Sequence, residues 1–143
     1  MGRLTGLKSS EIQADRVGNA VGFAKENGCY LVLKGARTII AEPGGIAHLN
    51  PTGNPALSSG GSGDVLTGLI GGLIARGFPI AKAVVAGVYI HGLAADLLAE
   101  NSGQAGILAS ELTDIIPEIM VSLSEGECPL ERRPYDLDLY QPL

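Results

Sequence analysis

A glycine-rich turn leads directly into an apolar helical pattern at Asn54-Pro55-Ala56-Leu57-Ser58-Ser59-Gly60-Gly61-Ser62-Gly63-Asp64-Val65-Leu66. Backbone N–H groups with no Cβ beside them form a concave anion site, and the positive end of the following helix strengthens it. The stretch therefore predicts a site for an anion, most commonly phosphate. Asp64 would then either cap the helix or touch the group that reacts beside the phosphate.

The residues after this turn predict three helices. The first is expected to be deeply buried, and Gly68, Gly71 and Gly72 would let another element pack closely against it. The second runs from Pro79 to about Asn101, because proline suits a first helical turn. The third opens at Ser110, and the proline at position 117 means that it either starts late, near Thr113, or kinks. The first helix has an apolar stripe of Val65, Leu66, Leu69, Ile70, Leu73 and Ile74.

The residues before the turn predict one helix and a small antiparallel meander. The helix covers about 10 to 27 and ends at Asn27-Gly28. Short apolar runs separated by glycine-containing turns predict the strands, and the first is expected to be buried on both faces. Mixed strands and helices indicate an α/β layer fold. The predicted strands are Cys29–Leu33, Thr38–Ala41 and Ile46–Leu49.

Composition excludes several classes of partner. The 143 residues suit one domain, and a net charge of −5 with scattered basic residues argues against a nucleic-acid surface. The apolar run Val65–Ala75 is interrupted by glycines and is shorter than the roughly 20 residues of a membrane span. Cys29 and Cys128 lack metal-ligand spacing, and the first residues lack the apolar core of a signal peptide, so we expect a reducing, cytoplasmic setting.

Taken one at a time, the polar residues have ordinary explanations. Lys34 and Arg37 are usually solvated turn charges, and Asp64 alone is more often a cap than a catalyst. His91 on an apolar helix is more often a satisfied buried imidazole than a base or a ligand. The turn lacks the Gly-Lys-Ser/Thr ending of a Walker A loop and does not open a Rossmann unit.

In combination, the motifs resemble a known family. Lys34-Gly35-Ala36-Arg37-Thr38, followed by Asn50-Pro51-Thr52-Gly53-Asn54 and by Gly60 to Leu66, is similar to the ADP/ATP-dependent NAD(P)H-hydrate dehydratases of the ribokinase-like superfamily. The resemblance extends from Met1 to about Leu123, without the family's His-Pro-Gly-Glu motif. It implies that residues 1–124 are the C-terminal part of a three-layer α/β/α domain. The stretch 125–143, with its prolines, charged residues and absence of sustained periodicity, is predicted to form a loosely structured tail.

The resemblance also implies a reaction. Members of the family restore NADH or NADPH from its hydrate while ADP or ATP is cleaved in the presence of Mg²⁺. ADP would give AMP and phosphate. Asp64 corresponds to the family's reactive acid, which contacts the hydrate and acts as general base. No protein ligand is assigned to the metal ion. Relatives are expected to be homotetramers. The nucleotide contacts fall on Lys34, Gly35, Ala36, Arg37, Thr38, Asn54, Gly60, Gly61, Ser62 and Gly63.

Two alternatives stay open at this stage. A small-molecule kinase of the same superfamily would share the glycine-rich loop and its acid, but it would not need the Asn-x-x-Gly-Asn segment at 50–54. A nucleotide-binding module without turnover would also fit, because the part of the domain that holds much of the hydrate site does not correspond to any segment of this sequence.

Overall fold

The computed structural model describes residues 1–103 and 107–129 of the chain. A short 3₁₀ helix, Pro55–Ser58, lies between the sheet and the last three α-helices. The elements in chain order are α1 Gly2–Thr5, α2 Ser9–Ala14, α3 Arg16–Asn27, β1 Leu31–Leu33, β2 Ile39–Ala41, β3 Ala47–Leu49, α4 Ser62–Ala75, α5 Ile80–Ser102 and α6 Ala109–Ser124.

The single helix predicted over 10 to 27 is wrong, because the chain forms α2 and α3 with a break at Asp15. The Asp15 backbone leaves the helical region (φ −144°, ψ 77°), and its carboxylate accepts a hydrogen bond from Gly18 N at 2.8 Å. An aspartate in this position starts a new helix by satisfying a first-turn N–H. The predicted stop is confirmed, since Gly28 ends α3 with a left-handed φ of 60°.

The antiparallel meander is confirmed. The strands lie in the order β1-β2-β3, with Val32 opposite Ile40 and Ile40 opposite His48. The expectation that β1 is buried on both faces is wrong, because all three of its residues are only partly buried. The reason is that β1 pairs with β2 alone among the described residues, which leaves its outer edge open.

Helices cover both faces of the sheet. On one face, Ala20 and Ala24 of α3 pack against Ile39 and Ala41. On the other face, Ile40 packs against Leu66 of α4 and two valines of α5. Because side chains alternate along a strand, β2 is buried from both sides, and its three residues are 2% exposed or less. The contacts therefore form layers of helix, sheet and helices.

The expectation that α4 is deeply buried is wrong. Only Ser62, Leu66 and Leu73 of this helix are buried. A Cβ added to Gly68, Gly71 or Gly72 would meet no atom within 4 Å among the described residues. The apolar stripe packs on the sheet and on α5 and α6, so the glycine face has no element against it in the described part of the chain.

Helix α5 is the centre of the helical layer. Its Leu93 is fully buried against Leu112, Ile116 and Ile119 of α6. By length and composition the segment Ile80–Glu100 could cross a membrane, and 56% of its most apolar window is buried within the described fold. Length and composition alone do not separate a core helix from a membrane span.

Helix α6 begins at Ala109, so a late start near Thr113 is wrong. Its first turn is closed by Glu111, whose carboxylate accepts a hydrogen bond from Leu108 N at 2.6 Å. The helix continues through Pro117, which lies on the exposed side and has no N–H to donate. The helix ends at Ser124, and the predicted loose tail falls mostly on residues 130–143, outside the described residues.

Candidate active site

The turn from Lys34 to Thr38 joins β1 to β2 and has an unusual backbone. Gly35 has a φ of 142°, and Arg37 is the one non-glycine residue with a positive φ (54°) within the described ranges. A left-handed conformation costs a non-glycine residue about 1–2 kcal/mol. The Thr38 hydroxyl donates to Gly35 O at 3.3 Å and closes the turn.

Arg16, the first residue of α3, forms hydrogen bonds with the backbone of this turn. Its guanidinium donates to Ala36 O at 2.6 Å and to Leu33 O at 3.3 Å, with a longer contact of 3.5 Å to Lys34 O. These bonds fix the backbone that carries Lys34. This role of Arg16 was not predicted, because a single charge at the start of an amphipathic helix gives no signal of a tertiary partner.

The Asn50–Asn54 segment lies along α5. Asn50 is buried, and its amide donates to Thr52 O at 2.9 Å and approaches Val88 O at 3.5 Å. The Thr52 hydroxyl donates to Tyr89 O at 2.9 Å. Asn50 N also donates to Thr38 O at 2.9 Å, which ties this segment to the Lys34–Thr38 turn. Two of the sequence motifs are therefore one connected structure.

The side chain of Asn54 is engaged by the protein itself. Its Oδ1 accepts from Ala56 N at 3.0 Å and caps the 3₁₀ helix, while its Nδ2 donates to Ala95 O at 2.8 Å and to Asp96 at 2.9 Å. The amide thus fixes where the glycine-rich turn begins. A nucleotide contact at Asn54 stays a prediction.

The glycine-rich turn presents free donors at the start of α4. Gly61 precedes the helix with a left-handed φ of 84°, and no side chain caps the first turn. Among the described residues, the N–H groups of Gly60, Gly61 and Gly63 have no hydrogen-bond acceptor. Several free N–H groups in a turn and at a helix N-terminus make a concave site that favours an anion.

The structure brings the two predicted nucleotide-binding segments together at Lys34. Its Nζ lies 3.4 Å from Ser62 Oγ, and a Cβ placed on Gly63 would be 3.6 Å from the same nitrogen. Lys34 is exposed, so its amine can reach a bound group. A cation beside a helix N-terminus is electrostatically unfavourable unless an anion joins it. Lys34 and the free N–H groups therefore favour the same kind of ligand.

Ser62 is buried and joins several elements. Its hydroxyl donates to Leu57 O at 2.7 Å, and its carbonyl accepts from His91 Nε2 at 2.8 Å. Burial lowers the pKa of His91 and the nearby charge of Lys34 lowers it further, while the bond to Ser62 raises it. The prediction that His91 is a satisfied buried imidazole is confirmed, because its ring is 2% exposed and hydrogen-bonded.

Asp64 lies in the first turn of α4, three residues after Gly61. It is exposed, and its carboxylate has no hydrogen bond or ion pair within the described part of the chain. The alternative that Asp64 caps the helix is wrong, since Gly61 occupies the cap position. The carboxylate is thus available to a ligand held at the free N–H groups.

Within the described part of the chain, one cavity near the sheet adjoins Lys34 and Gly63. It has a volume of about 230 Å³ and is lined by Lys34 and Gly63 together with Val32, Leu66, Thr67 and Ile70. A larger cavity of about 620 Å³ lies between β3 and α5, and its lining includes none of the predicted site residues. The smaller cavity is the candidate nucleotide cavity, because it is lined by Lys34 and by Gly63, whose N–H group has no acceptor among the described residues.

The chemistry of the site fits a magnesium nucleotide. No group of three or more His, Cys, Asp or Glu side chains is placed to hold a metal ion in the described ranges. Mg²⁺ is commonly held by one or two carboxylates together with substrate phosphates and water. The free N–H groups at the start of α4 suit the phosphates that would carry such an ion.

Solved structures define the class of fold. A ribokinase-like superfamily protein from Enterococcus faecalis is 32% identical, with a TM-score of 0.71 over 85% of this chain and 40% of that one. An ADP/ATP-dependent NAD(P)H-hydrate dehydratase from Bacillus subtilis, co-crystallized with ATP/Mg²⁺, is 41% identical, with a TM-score of 0.81 over 84% of this chain and 43% of that one. The chain thus matches part of a ribokinase-like fold.

The sequence comparisons narrow the class to one family. A family model described as NAD(P)H-hydrate dehydratase matches residues 1–118, and the chain belongs to this family. A bifunctional NAD(P)H-hydrate repair enzyme Nnr from Moorella thermoacetica is 45% identical over 87% of this chain. The ADP-dependent (S)-NAD(P)H-hydrate dehydratase of Bacillus subtilis is 42% identical over 82% of this chain. The chain spans 24% and 42% of these two relatives.

Proposed function

We propose that this chain supplies the nucleotide-binding and phosphoryl-transfer part of an ADP-dependent (S)-NAD(P)H-hydrate dehydratase. The observation that carries the proposal is the position of Lys34 Nζ, 3.4 Å from Ser62 Oγ, beside the free N–H groups at the start of α4. Donors fixed in advance at a charged phosphoryl group stabilise it without reorganisation during the reaction. Family membership supports the hydrate of NADH or NADPH as the substrate.

In the proposed reaction Asp64 accepts the proton of the hydrate hydroxyl. The hydroxyl oxygen attacks the terminal phosphoryl group of ADP, which releases AMP and leaves a phosphorylated hydrate. The lone pair of the ring nitrogen then expels phosphate and forms a ring iminium, which loses a proton from the adjacent ring carbon to the released phosphate or to water and so restores the dihydropyridine. Mg²⁺, held chiefly by the phosphate oxygens, would neutralise charge on them. Lys34 and the N–H groups of the turn hold the nucleotide, and the exposed Asp64 carboxylate lies beside them.

The proposed architecture extends beyond this chain. We infer that residues 1–124 are the C-terminal part of a three-layer α/β/α domain and that 125–143 form a tail outside it. The open edge of β1 and the uncovered glycine face of α4 support this inference, because both lack partners among the described residues. The remaining part of the relatives' domain would supply strands beside β1. We also propose a cytoplasmic location and, by family resemblance, a homotetramer.

A second candidate function is a nucleotide-binding module without turnover. It is favoured by the share of the Bacillus subtilis structure that the chain covers, 43%, together with the open β1 edge. In this case the anion site would bind ADP, whereas the surfaces that orient the hydrate would come from elsewhere or be absent.

One experiment separates these candidates. ADP binding is measured by calorimetry, and recovery of reduced-nicotinamide absorbance is followed with the hydrate, ADP and Mg²⁺. The 143-residue chain is tested alone and as a chimaera joined to the part of the Bacillus subtilis dehydratase that it does not match. We expect ADP binding by both proteins and turnover by the chimaera. Binding without turnover in either protein supports the module, and absence of ADP binding in both overturns the proposal.

A further inference from the structure

Ser62 connects three separate parts of the fold at the start of α4. Its hydroxyl lies between Leu57 O, at 2.7 Å, and Lys34 Nζ, at 3.4 Å. Its carbonyl oxygen lies 2.8 Å from Nε2 of His91 in the middle of α5. With only 1% of its surface exposed, Ser62 faces the protein, so its side chain positions other groups and does not point to solvent.

The Ser62 carbonyl does not need the hydrogen bond from His91 in order to have a donor. Ser62 is the first residue of α4, and its carbonyl therefore already accepts a hydrogen bond within the helix. A carbonyl oxygen only accepts, so His91 Nε2 carries the proton and donates it. The imidazole thus adds a cross-link from α5 to the first turn of α4.

An apolar residue would be the ordinary choice at position 91. The ring is 2% exposed and lies in a helix whose neighbouring buried residues are Ile90 and Leu93. Burying a polar ring costs free energy unless it is hydrogen-bonded, and the bond to Ser62 offsets that cost. The hydrogen bond to Ser62 therefore explains why a histidine occupies position 91. Its acceptor lies in the turn that carries the free N–H groups.

We propose that His91 is a positioning residue of the nucleotide site, which acts through Ser62 on the first turn of α4 and on Lys34. The inference rests on the proposed function, because the site that it positions is the ADP site. His91 touches no ligand in this role. It holds the N–H groups and the Lys34 amine in one arrangement, so that binding does not have to order them.

The test compares three substitutions of His91 by the affinity for ADP. His91→Gln places an amide nitrogen at about the reach of Nε2, His91→Asn stops one methylene short, and His91→Leu keeps the bulk without a donor. We expect His91→Gln to bind ADP within about threefold of the native chain, and the other two to bind about tenfold more weakly. Urea unfolding of each variant shows whether it is folded.

Two further variants keep the proposal open to refutation. Ser62→Ala retains His91 and α4 and removes only the hydroxyl beside Lys34, so we expect a loss of about threefold to tenfold in ADP affinity. His48→Gln is the control, because His48 lies on β3 and pairs with Glu42 at 2.8 Å, away from the turn. We expect it to bind ADP normally.

The outcomes separate this inference from the proposed function. If neither the native chain nor the chimaera binds ADP, the proposed function fails and the positioning role fails with it. If the native chain binds ADP and the folded variants that lack the bond bind equally well, with only their stability changed, His91 is merely a core residue. Should neither His91→Asn nor His91→Leu fold, normal ADP affinity in Ser62→Ala would overturn the proposed action of His91 on Lys34, because the Ser62 hydroxyl is the link between them.

Discussion

The Nδ2 atom of Asn54 lies 2.9 Å from Oδ1 of Asp96, and the other oxygen of Asp96 accepts from Gly53 N at 2.8 Å. One carboxylate on α5 thus binds two groups of the segment that leads into the glycine-rich turn. Because both bonds join residues more than forty positions apart, they fix where that turn starts. Asp96 had no signal in the sequence beyond being an acid on an apolar helix.

Removal of this carboxylate is expected to loosen the turn. Asp96→Ala should lower the free energy of unfolding by about 1–3 kcal/mol, because a backbone N–H and a side-chain amide lose a charged acceptor. The matched control is Asp114→Ala, since Asp114 is an exposed acid on α6. Its effect should lie within about 0.5 kcal/mol. Urea unfolding measures both, and equal effects would contradict the anchoring role.

Asp64→Asn tests whether the Asp64 carboxylate acts as the general base. The carboxylate is exposed and has no partner among the described residues, so the substitution should leave folding and ADP binding nearly unchanged. Turnover of the active chimaera should fall by about 10²-fold or more, because an amide cannot accept the proton. Asp114→Asn, made in the same chimaera, should retain full turnover. Near-normal turnover of Asp64→Asn would remove Asp64 from the mechanism.

Gly63→Val tests the anion site against a control on the same helix. A Cβ at Gly63 would lie 3.6 Å from Lys34 Nζ, and the additional methyl groups of valine would enter the space of the anion. A Cβ at Gly68 would meet no atom within 4 Å in the described ranges. We therefore expect Gly63→Val to weaken ADP binding at least about tenfold and Gly68→Val to leave it unchanged. Equal ADP affinities by calorimetry would count against the site.

The buried imidazole predicts how stability depends on pH. Burial, and then the charge of Lys34, lower the pKa of His91 below its usual 6.5. The unfolded chain therefore binds this proton more readily, and the stability that the neutral ring provides is lost as the pH falls below about 6.5. The urea concentration at the unfolding midpoint should decrease as the pH is lowered from about 7.5 to about 5.5, and it should decrease by less in His91→Gln. Lys34→Met should also reduce the fall, and an unchanged fall in both variants would refute the assignment.

Local patterns predicted the strands and the last three α-helices of the fold. The glycine-bounded apolar runs gave the three strands and their antiparallel order, and helical spacing gave α4, α5 and α6. The break at Asp15 was missed because an aspartate inside an amphipathic pattern competes for the backbone only when the chain bends there. Burial of β1 and α4 was overestimated, because an apolar pattern shows which face would be buried but not whether a partner is present.

The candidate site was predictable only in part. Glycines and an acid at a helix start indicate an anion site from sequence alone, and the structure brings Lys34 to the same place. The residues that hold these parts, Arg16, His91 and Asp96, act over 17 or more positions. Such contacts depend on the packing of α3 and α5, which no local pattern encodes.

Close packing of α5 against the Asn50–Asn54 segment gives the last prediction. A Cβ on Gly92 would collide with the Thr52 hydroxyl and lie 2.7 and 2.8 Å from the Thr52 carbonyl carbon and oxygen. Backbone atoms cannot move aside as a flexible side chain can, so Gly92→Ala should lower the free energy of unfolding by about 1–3 kcal/mol. Gly71→Ala, on the uncovered face of α4, should instead stabilise the helix by up to about 1 kcal/mol. If Gly92→Ala were neutral, the segment would have to sit farther from α5, and the anchoring of the glycine-rich turn through Asn54 would fail with it.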